Sequence, residues 1–337
     1  MAGLPGALTD DARFRLVRPP PAGDVDGFAA AVAAGLGARP KSLPCRFFYD
    51  DEGSRLFEEI CRLPEYYPTR TEGEILARKA GEIAEAVGPG AALAELGSGS
   101  SVKTRLLIEA FLARQEALHY APVDISAGFL EETARSLLGR YPGLSVTAIA
   151  AEYREAIPHL PAHDGPRLVL FLGSNVGNLE EDEASSLLRA VAGTLAPRDR
   201  LLVGFDRLKE PEVLERAYDD AAGVTARFNR NLLARANREL GAGFDLDAFD
   251  HVAPFVAERS RVEMRLVSRK RQEVRVGALG RSFSFEPGEA LHTESCHKYA
   301  LADVERLARS SRLRVDRLWS DPREWFTVAL LAPNGRA

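Results

Sequence analysis

The sequence predicts an α/β fold in which a parallel-sheet core is interrupted by a second lobe. Three observations predict it. Short apolar strands alternate with helical patterns from Ala91 to Phe205, the signature of a sheet joined by crossover helices. The first of these strands ends in a glycine-rich turn, Glu95-Leu96-Gly97-Ser98-Gly99-Ser100. The alternation stops near Asp206, and the chain closes on two strand-like segments at 312–319 and 325–331.

The elements follow in order. Residues 1–17 open a Pro/Gly-rich stretch and are expected to be a poorly ordered lead-in. Apolar residues from Asp24 to Leu36 and from Asp51 to Cys61 recur at helical spacing. Pro64-Glu65-Tyr66-Tyr67-Pro68 reads as a stiff aromatic loop, and Thr71 as the N-cap of a helix that Gly88-Pro89-Gly90 ends. Strands are expected at 91–96, 120–123, 145–150, 167–172 and 200–205, with helices at about 102–114, 127–138 and 180–195 between them. Pro211 to Leu240 reads as one long helical stretch. Strands are expected at 255–266, 272–276 and 281–285, and a helix at about 299–310. The expected division is a core of 71–208 plus 299–337 and a second lobe of 18–70 plus 209–298.

Composition narrows the function. The chain has 337 residues, 45% of them hydrophobic and 28% charged, which suits a globular protein. Its formal net charge is −5, and its densest basic run is Arg269-Lys270-Arg271. That is a poor basis for binding nucleic acid, where phosphate neutralisation dominates affinity. The cysteines, Cys45, Cys61 and Cys296, are too few and odd in number for a disulfide framework. No signal-peptide pattern opens the chain and no run of eighteen apolar residues occurs, so a cytoplasmic protein without a membrane partner is expected.

The glycine-rich turn carries the first chemistry. Gly97 and Gly99 allow a tight turn and close approach of the backbone to a ligand, and the following helix N-terminus favours an anion. Lys103 sits in the first helical turn, where its cation opposes the helix dipole. Asp124 ends the next strand, 27 positions after Gly97, where an acid can take both ribose hydroxyls. Glu152-Tyr153 ends the third strand and offers an acceptor and a ring for adenine. The turn alone would be an ordinary tight turn; the acid at the second strand makes it a nucleotide site. Val102 stands where a dinucleotide fingerprint needs its third glycine, which moves the expectation from NAD to S-adenosyl-L-methionine.

With these motifs in place, the chain resembles the L-histidine Nα-methyltransferases of ergothioneine biosynthesis. The resemblance runs from about Lys41 to the last strand. It rests on Lys41-Ser42-Leu43-Pro44, Phe48-Tyr49-Asp50, the segment from Pro64 to Glu72, Glu95-Leu96-Gly97-Ser98-Gly99 and Gly173-Ser174-Asn175-Val176-Gly177-Asn178. It continues through the segment from Ala217 to Thr225, Phe228-Asn229-Arg230-Asn231, Val262-Glu263-Met264 and His292-Thr293-Glu294. It implies a class I, Rossmann-like methyltransferase core with an inserted, discontinuous α+β substrate-binding domain.

The resemblance also implies roles. Gly97, Ser98, Gly99, Lys103, Asp124, Glu152 and Tyr153 fall where such enzymes bind S-adenosyl-L-methionine, and Tyr49 falls beside the methyl donor. Tyr66, Gly173, Asn178 and Tyr218 fall on the substrate's amino and carboxylate groups. Met264, Glu294 and Cys296 fall around the imidazole. Cys296 departs from the family, which commonly has Ser there; a thiol is a weaker donor than a hydroxyl. Each residue has a plainer reading. Met264 could be core filler, Glu294 a helix N-terminal acid, Tyr66 and Tyr218 core tyrosines, and Asn178 a turn residue.

His292, Cys296 and His297 lack a second matching ligand cluster, so no metal is expected. The implied reaction is trimethylation of the α-amino group of L-histidine to hercynine by a monomeric enzyme, with Tyr49 orienting the amine or relaying its proton. The second lobe is expected to close over the amino acid. Competing readings are the same chemistry on another amino acid or amine, an NAD-dependent dehydrogenase, and an idle binding module.

Overall fold

A computed structural model of the chain describes residues 12–19 and 27–334. These divide into two compact units. The described residues of Met1–Ala22, Pro68–Leu208 and Tyr299–Ala337 form one, and those of Gly23–Tyr67 and Lys209–Lys298 form the other.

The first unit is built on an eight-stranded sheet. Its spatial order is Phe14–Val17, Leu144–Ala150, Leu118–Asp124, Ala92–Leu96, Arg167–Phe171, Arg200–Asp206, Phe326–Pro333 and Leu313–Ser320. The first six run parallel and the last two are antiparallel additions. Ala92–Leu96 is the first of the five strands expected for the core and lies at their centre. Its two neighbours are the next strand in sequence on one side and the fourth on the other. The direction of winding therefore reverses there, and ligands of open α/β sheets bind at the carboxyl ends of strands flanking such a reversal.

Burial on both faces explains why these strands read as apolar runs rather than alternating ones. Leu93, Tyr120, Leu168 and Leu202 pack on one face with Ile83, Leu107 and Leu137 from the helices Tyr67–Val87, Thr104–Leu112 and Ala127–Arg140. Leu96, Val123, Phe171 and Val203 pack on the other with Leu187 and Val304, from Glu181–Ala192 and Leu301–Ser310.

The second unit has a five-stranded sheet. Lys41–Ser42, Ala290–His297, Arg261–Ser268 and Phe249–Val252 lie in that order, with Phe255–Val256 paired to the start of Arg261–Ser268. Gln272–Val276 and Arg281–Phe285 form a separate hairpin. The helices are Phe28–Gly37, Asp51–Ile60, Pro211–Tyr218 and Val224–Leu240.

Five expectations change. The helix expected to be capped by Thr71 already begins at Tyr67, inside the expected aromatic loop, so Thr71 lies within its second turn. Phe14–Val17, inside the expected lead-in, is an edge strand paired with Val146–Ile149; Phe14 buries its ring in the core, and residues 1–11 lie outside the described residues. The stretch from 211 to 240 is two helices, because Gly223 turns left-handed at φ 68°. There Asp220 accepts from Val224 N at 2.9 Å and Thr225 N at 2.7 Å, starting a new helix. The 255–266 strand breaks at Ser260, which takes φ 48°. Ala290–His297 is a strand and the following helix begins at Leu301, so Glu294 is not a helix N-terminal acid.

Candidate active site

The turn after Ala92–Leu96 is shaped by its own backbone. Gly97 N and Ser98 N both donate to Val123 O, at 2.9 and 3.0 Å. Gly97 adopts φ +74°, and a Cβ there would lie 2.8 Å from both the Asn175 amide nitrogen and the Tyr153 hydroxyl. Only glycine fits. Asp124 closes the turn from the neighbouring strand. Its Oδ2 accepts from Gly99 N at 3.0 Å and its Oδ1 from Ser126 N at 3.0 Å. Burial pushes its carboxyl above the ordinary value against the pull of those donors. Each oxygen keeps further acceptor capacity.

Two buried hydroxyls flank this carboxylate, Ser98 Oγ and Ser126 Oγ, and neither finds a hydrogen-bond partner among the described residues. Buried polar atoms are nearly always paired. An open left-handed glycine at 99, two orphaned hydroxyls and a carboxylate between them fit the polar, hydroxyl-bearing half of a nucleoside cofactor.

Beneath the turn lies a second buried carboxyl. Glu95 accepts from Thr104 Oγ1 at 2.7 Å and from the Tyr120 hydroxyl, which also meets Ser101 Oγ at 3.0 Å. Burial raises Glu95 to about 7, with Tyr120, Thr104 and Lys103 opposing. Glu152 caps the short helix Tyr153–Ala156 by accepting from the Glu155 backbone, and the Tyr153 ring meets Phe171 edge-on at 5.3 Å.

Lys103 has a protein partner that sequence reasoning did not assign. Its ammonium pairs with Glu72, whose side chain is 0% exposed. Glu72 also accepts from Gly173 N through both oxygens, at 3.0 and 2.9 Å. This carboxylate thus ties the turn after Ala92–Leu96 to the turn after Arg167–Phe171. Gly173 and Ser174 are both left-handed, at φ 76° and 58°, and they lead into the tight turn Asn175–Asn178, which Asn178 closes half-buried. Glu72 stood within the quoted segment from Pro64 to Glu72; its signal was a charged residue on the apolar face of a helix.

In the second unit, cross-strand register gathers the ring-facing candidates. Met264 stands opposite Glu294, and Val262 opposite Cys296, with a bulge just after Met264. Directly opposed residues share a sheet face, as do residues two apart along a strand. Met264, Glu294 and Cys296 therefore form one buried stripe. Burial lifts the Glu294 carboxyl to about 7, with Lys298 pulling it down.

Beside the stripe runs a chain of rings. Tyr49 meets Phe57 at 5.6 Å, Phe57 meets Tyr66 at 6.1 Å, and Tyr66 meets Tyr218 edge-on at 6.0 Å. Tyr49 is fixed by its neighbour Asp50, which caps Asp51–Ile60 through Gly53 N at 2.7 Å and accepts from Asn231 at 2.8 Å and from Arg238. Burial pushes Asp50 up, but those donors hold its carboxyl below the ordinary value.

Tyr218 ends its helix, and its carbonyl is 2.8 Å from His251 Nε2. Burial lowers the His251 pKa. The neutral ring then accepts from Asn229 at Nδ1, 2.8 Å away, and donates from Nε2 to Tyr218. The Tyr218 hydroxyl lies 2.8 Å from Cys296 Sγ and accepts from Lys298 Nζ at 2.9 Å. Lys298 was not among the residues sequence reasoning assigned; it continues the alternation 294, 296, 298.

Each unit thus holds one coherent set. Gly97, Ser98, Gly99, Lys103, Asp124, Glu152, Tyr153, Gly173 and Asn178 belong to the first, and Tyr49, Tyr66, Tyr218, Met264, Glu294 and Cys296 to the second. A parallel sheet in this strand order, with a glycine turn after the first core strand and an acid after the second, defines a class I methyltransferase core. Residues 28–333 match the model of the family described as histidine-specific methyltransferase, SAM-dependent, and the chain belongs to that family.

It is 46% identical over 299 residues to histidine N-alpha-methyltransferase of Mycolicibacterium smegmatis, covering 89% of this chain and 92% of that one. It is 44% identical over 301 residues to the protein of the same name from Mycobacterium tuberculosis, covering 89% and 93%. A more distant relative is ergothioneine biosynthesis protein 1 of Neurospora crassa, 34% identical over 205 residues, which are 60% of this chain and 23% of that one. Among the described residues no helix is long and apolar enough to cross a membrane.

Proposed function

We propose that the chain transfers methyl groups from S-adenosyl-L-methionine to the α-amino nitrogen of L-histidine, three in succession, giving hercynine, the first step of ergothioneine biosynthesis. We assign it to the cytoplasm as a monomer; its three cysteines form no disulfide, as a reducing compartment allows.

One observation carries the substrate assignment. Met264, Glu294 and Cys296 line one sheet face with Glu294 buried, which offers an imidazole an apolar wall and an acceptor for its ring N–H. A carboxyl titrating near 7 beside a ring of comparable basicity lets the pair share a proton at neutral pH. Cys296 does not leave the ring side short of polar partners, since Tyr218 and Lys298 both adjoin its sulfur.

The remaining residues take roles by their chemistry. Gly97, Ser98, Gly99, Asp124, Glu152 and Tyr153 would hold the cofactor, with Ser126 added on the strength of its orphaned hydroxyl. When bound, the cofactor supplies an electrophilic methyl on a sulfonium. Lys103 and Glu72 brace the two turns. Tyr66, Gly173, Asn178 and Tyr218 address the substrate's amino and carboxylate groups, the phenol hydroxyls being good partners for a carboxylate. The nucleophile must be the uncharged amine, although a free α-amino group is mostly protonated at neutral pH. Tyr49 orients that nitrogen or relays its proton. Fixing the nitrogen in line supplies much of the rate.

Mass spectrometry of L-histidine incubated with enzyme and S-adenosyl-L-methionine tests the reading. A product heavier by three methyl groups is expected. Unchanged histidine alongside methylation of another amino acid would replace the substrate, and no methylation of any amino acid would end the proposal.

A further inference from the structure

Tyr120 lies in the strand Leu118–Asp124, opposite Leu93 on one side and Val146 on the other, and is 0% exposed. Its ring packs in the apolar core on one face of the sheet, where phenylalanine would fill the same space. The hydroxyl is therefore explained by its partners. It bridges Glu95, on the neighbouring strand, and Ser101 Oγ, 3.0 Å away in the glycine-rich turn. Thr104, at the start of the next helix, donates to the same carboxyl at 2.7 Å and adjoins the phenol.

Ser101 is the strained member of this group. Its φ is +52°, a left-handed conformation that costs energy for any residue with a Cβ. Its N–H donates to Ser98 O at 2.9 Å and its carbonyl accepts from Arg105 N at 3.1 Å. The residue thus joins the glycine-rich turn to the first turn of the helix Thr104–Leu112.

We propose that Tyr120 is a positioning residue for cofactor binding: its hydroxyl ties Ser101 to Glu95, holds that serine left-handed, and so keeps the turn 97–101 in the shape that receives S-adenosyl-L-methionine. The inference rests on the assignment of this turn to the cofactor.

The proton inventory of the group closes. With Glu95 ionised, Tyr120 and Thr104 donate to the carboxylate and Ser101 donates to the phenol oxygen. With Glu95 protonated, the carboxyl donates to the phenol and the phenol donates to Ser101. The bridge stands in both states. The strand that carries Tyr120 also carries Val123, whose carbonyl accepts from Gly97 N and Ser98 N, and Asp124, which accepts from Gly99 N. One buried strand therefore grips the turn at 97, 98, 99 and 101. Gly97 and Gly99 take their left-handed conformations at no steric cost; Ser101 does not. Without its tether it relaxes toward ordinary φ, binding has to restore the turn, and apparent affinity falls with the fraction of molecules that keep it.

The test measures S-adenosylhomocysteine affinity by calorimetry on the full chain. The proteins compared are the natural one, Tyr120→Phe, Ser101→Ala, Ser101→Gly, and Tyr120→Phe combined with Ser101→Gly. Ser101→Ala keeps the strain and loses the tether. It and Tyr120→Phe should each weaken binding roughly 5- to 30-fold, the cost of a left-handed residue carrying a Cβ. Ser101→Gly loses tether and strain together, so it should bind at least about fivefold more tightly than Ser101→Ala. Adding Tyr120→Phe to Ser101→Gly should cost less than about threefold, because the phenol then has no strained residue to hold. In turnover, Tyr120→Phe should raise KM for S-adenosyl-L-methionine and leave kcat at saturating cofactor within about twofold.

Equal affinities for Ser101→Ala and Ser101→Gly overturn the proposal. So does the same loss from Tyr120→Phe in the natural and Ser101→Gly backgrounds, which is what a phenol that merely supports the core would give. If circular dichroism shows Tyr120→Phe unfolded, the comparison of alanine with glycine at 101 decides alone. Asp124→Ala reports on the cofactor assignment itself: an unaltered affinity there ends that assignment, whereas a loss there with no difference between the two Ser101 variants removes only the role of Tyr120.

Discussion

Replacing Glu294 by glutamine should make the protein more stable at alkaline pH while impairing histidine binding. The Glu294 carboxyl is buried and its pKa rises from 4.5 to about 7, chiefly by desolvation. In the unfolded chain the same group loses its proton near 4.5. Between these values the native state holds a proton that the unfolded state has released, so stability falls as pH rises through the window. The contribution is most favourable below 4.5 and is lost above 7. The gap, at about 1.4 kcal/mol per pH unit, amounts to about 3 kcal/mol.

Glutamine has the same shape and no charge to desolvate. Glu294→Gln should therefore come close to the natural protein at pH 4 and exceed its stability by up to about 3 kcal/mol at pH 8.5, a gain of several degrees in Tm. The assay is thermal and urea unfolding without ligands at both pH values. Glu95, also raised to about 7 by burial, contributes the same slope to both proteins and cancels in the comparison. Histidine affinity should fall roughly 10- to 100-fold, since a charged acceptor becomes a neutral one. Parallel pH profiles for the two proteins would refute the claim that this carboxyl is held against its solvation.

Two further outcomes test the cofactor side. In Gly204→Ala the new Cβ would sit 2.0 Å from Glu72 Oε1 and 3.1 Å from the Phe326 ring; displacing a carboxylate bonded to Lys103 and Gly173 should cost about 2–3 kcal/mol in denaturant unfolding, and an unchanged midpoint would show that Glu72 is not locked. Asp124→Ala should weaken S-adenosylhomocysteine at least tenfold by calorimetry, with Asp124→Asn intermediate because it keeps one acceptor; an unaltered Kd would remove Asp124 from the cofactor site.

Much of the core was legible because each strand is buried on both faces and is bounded by a turn. The glycine turn at 97–99 and the acid at 124 announced themselves by residue type at a strand's end. The strand Ala290–His297 did not. His292-Thr293-Glu294-Ser295-Cys296-His297 has neither an apolar run nor an apolar alternation, so only its pairing with Arg261–Ser268 makes it a strand. The break after Tyr218 was similarly hidden, because Asp220 acts as a cap only once the chain turns at Gly223. Phe14–Val17 lay unread for a related reason: four residues following a Pro/Gly-rich opening become a strand by adding to the open edge of Leu144–Ala150.

By itself the sequence determined the alternation of elements, the positions where backbone must approach a ligand, and, through the motif series, the family. These are local properties, written in periodicity, glycine placement and residue type. Tertiary structure alone decided which charges are buried and against what. Glu72 lies 31 positions from Lys103 and 101 from Gly173, and Lys298 lies 80 positions from Tyr218. Burial and partnership at such separations depend on how strands and helices pack, because the cost of desolvating a charge is set by everything that surrounds it.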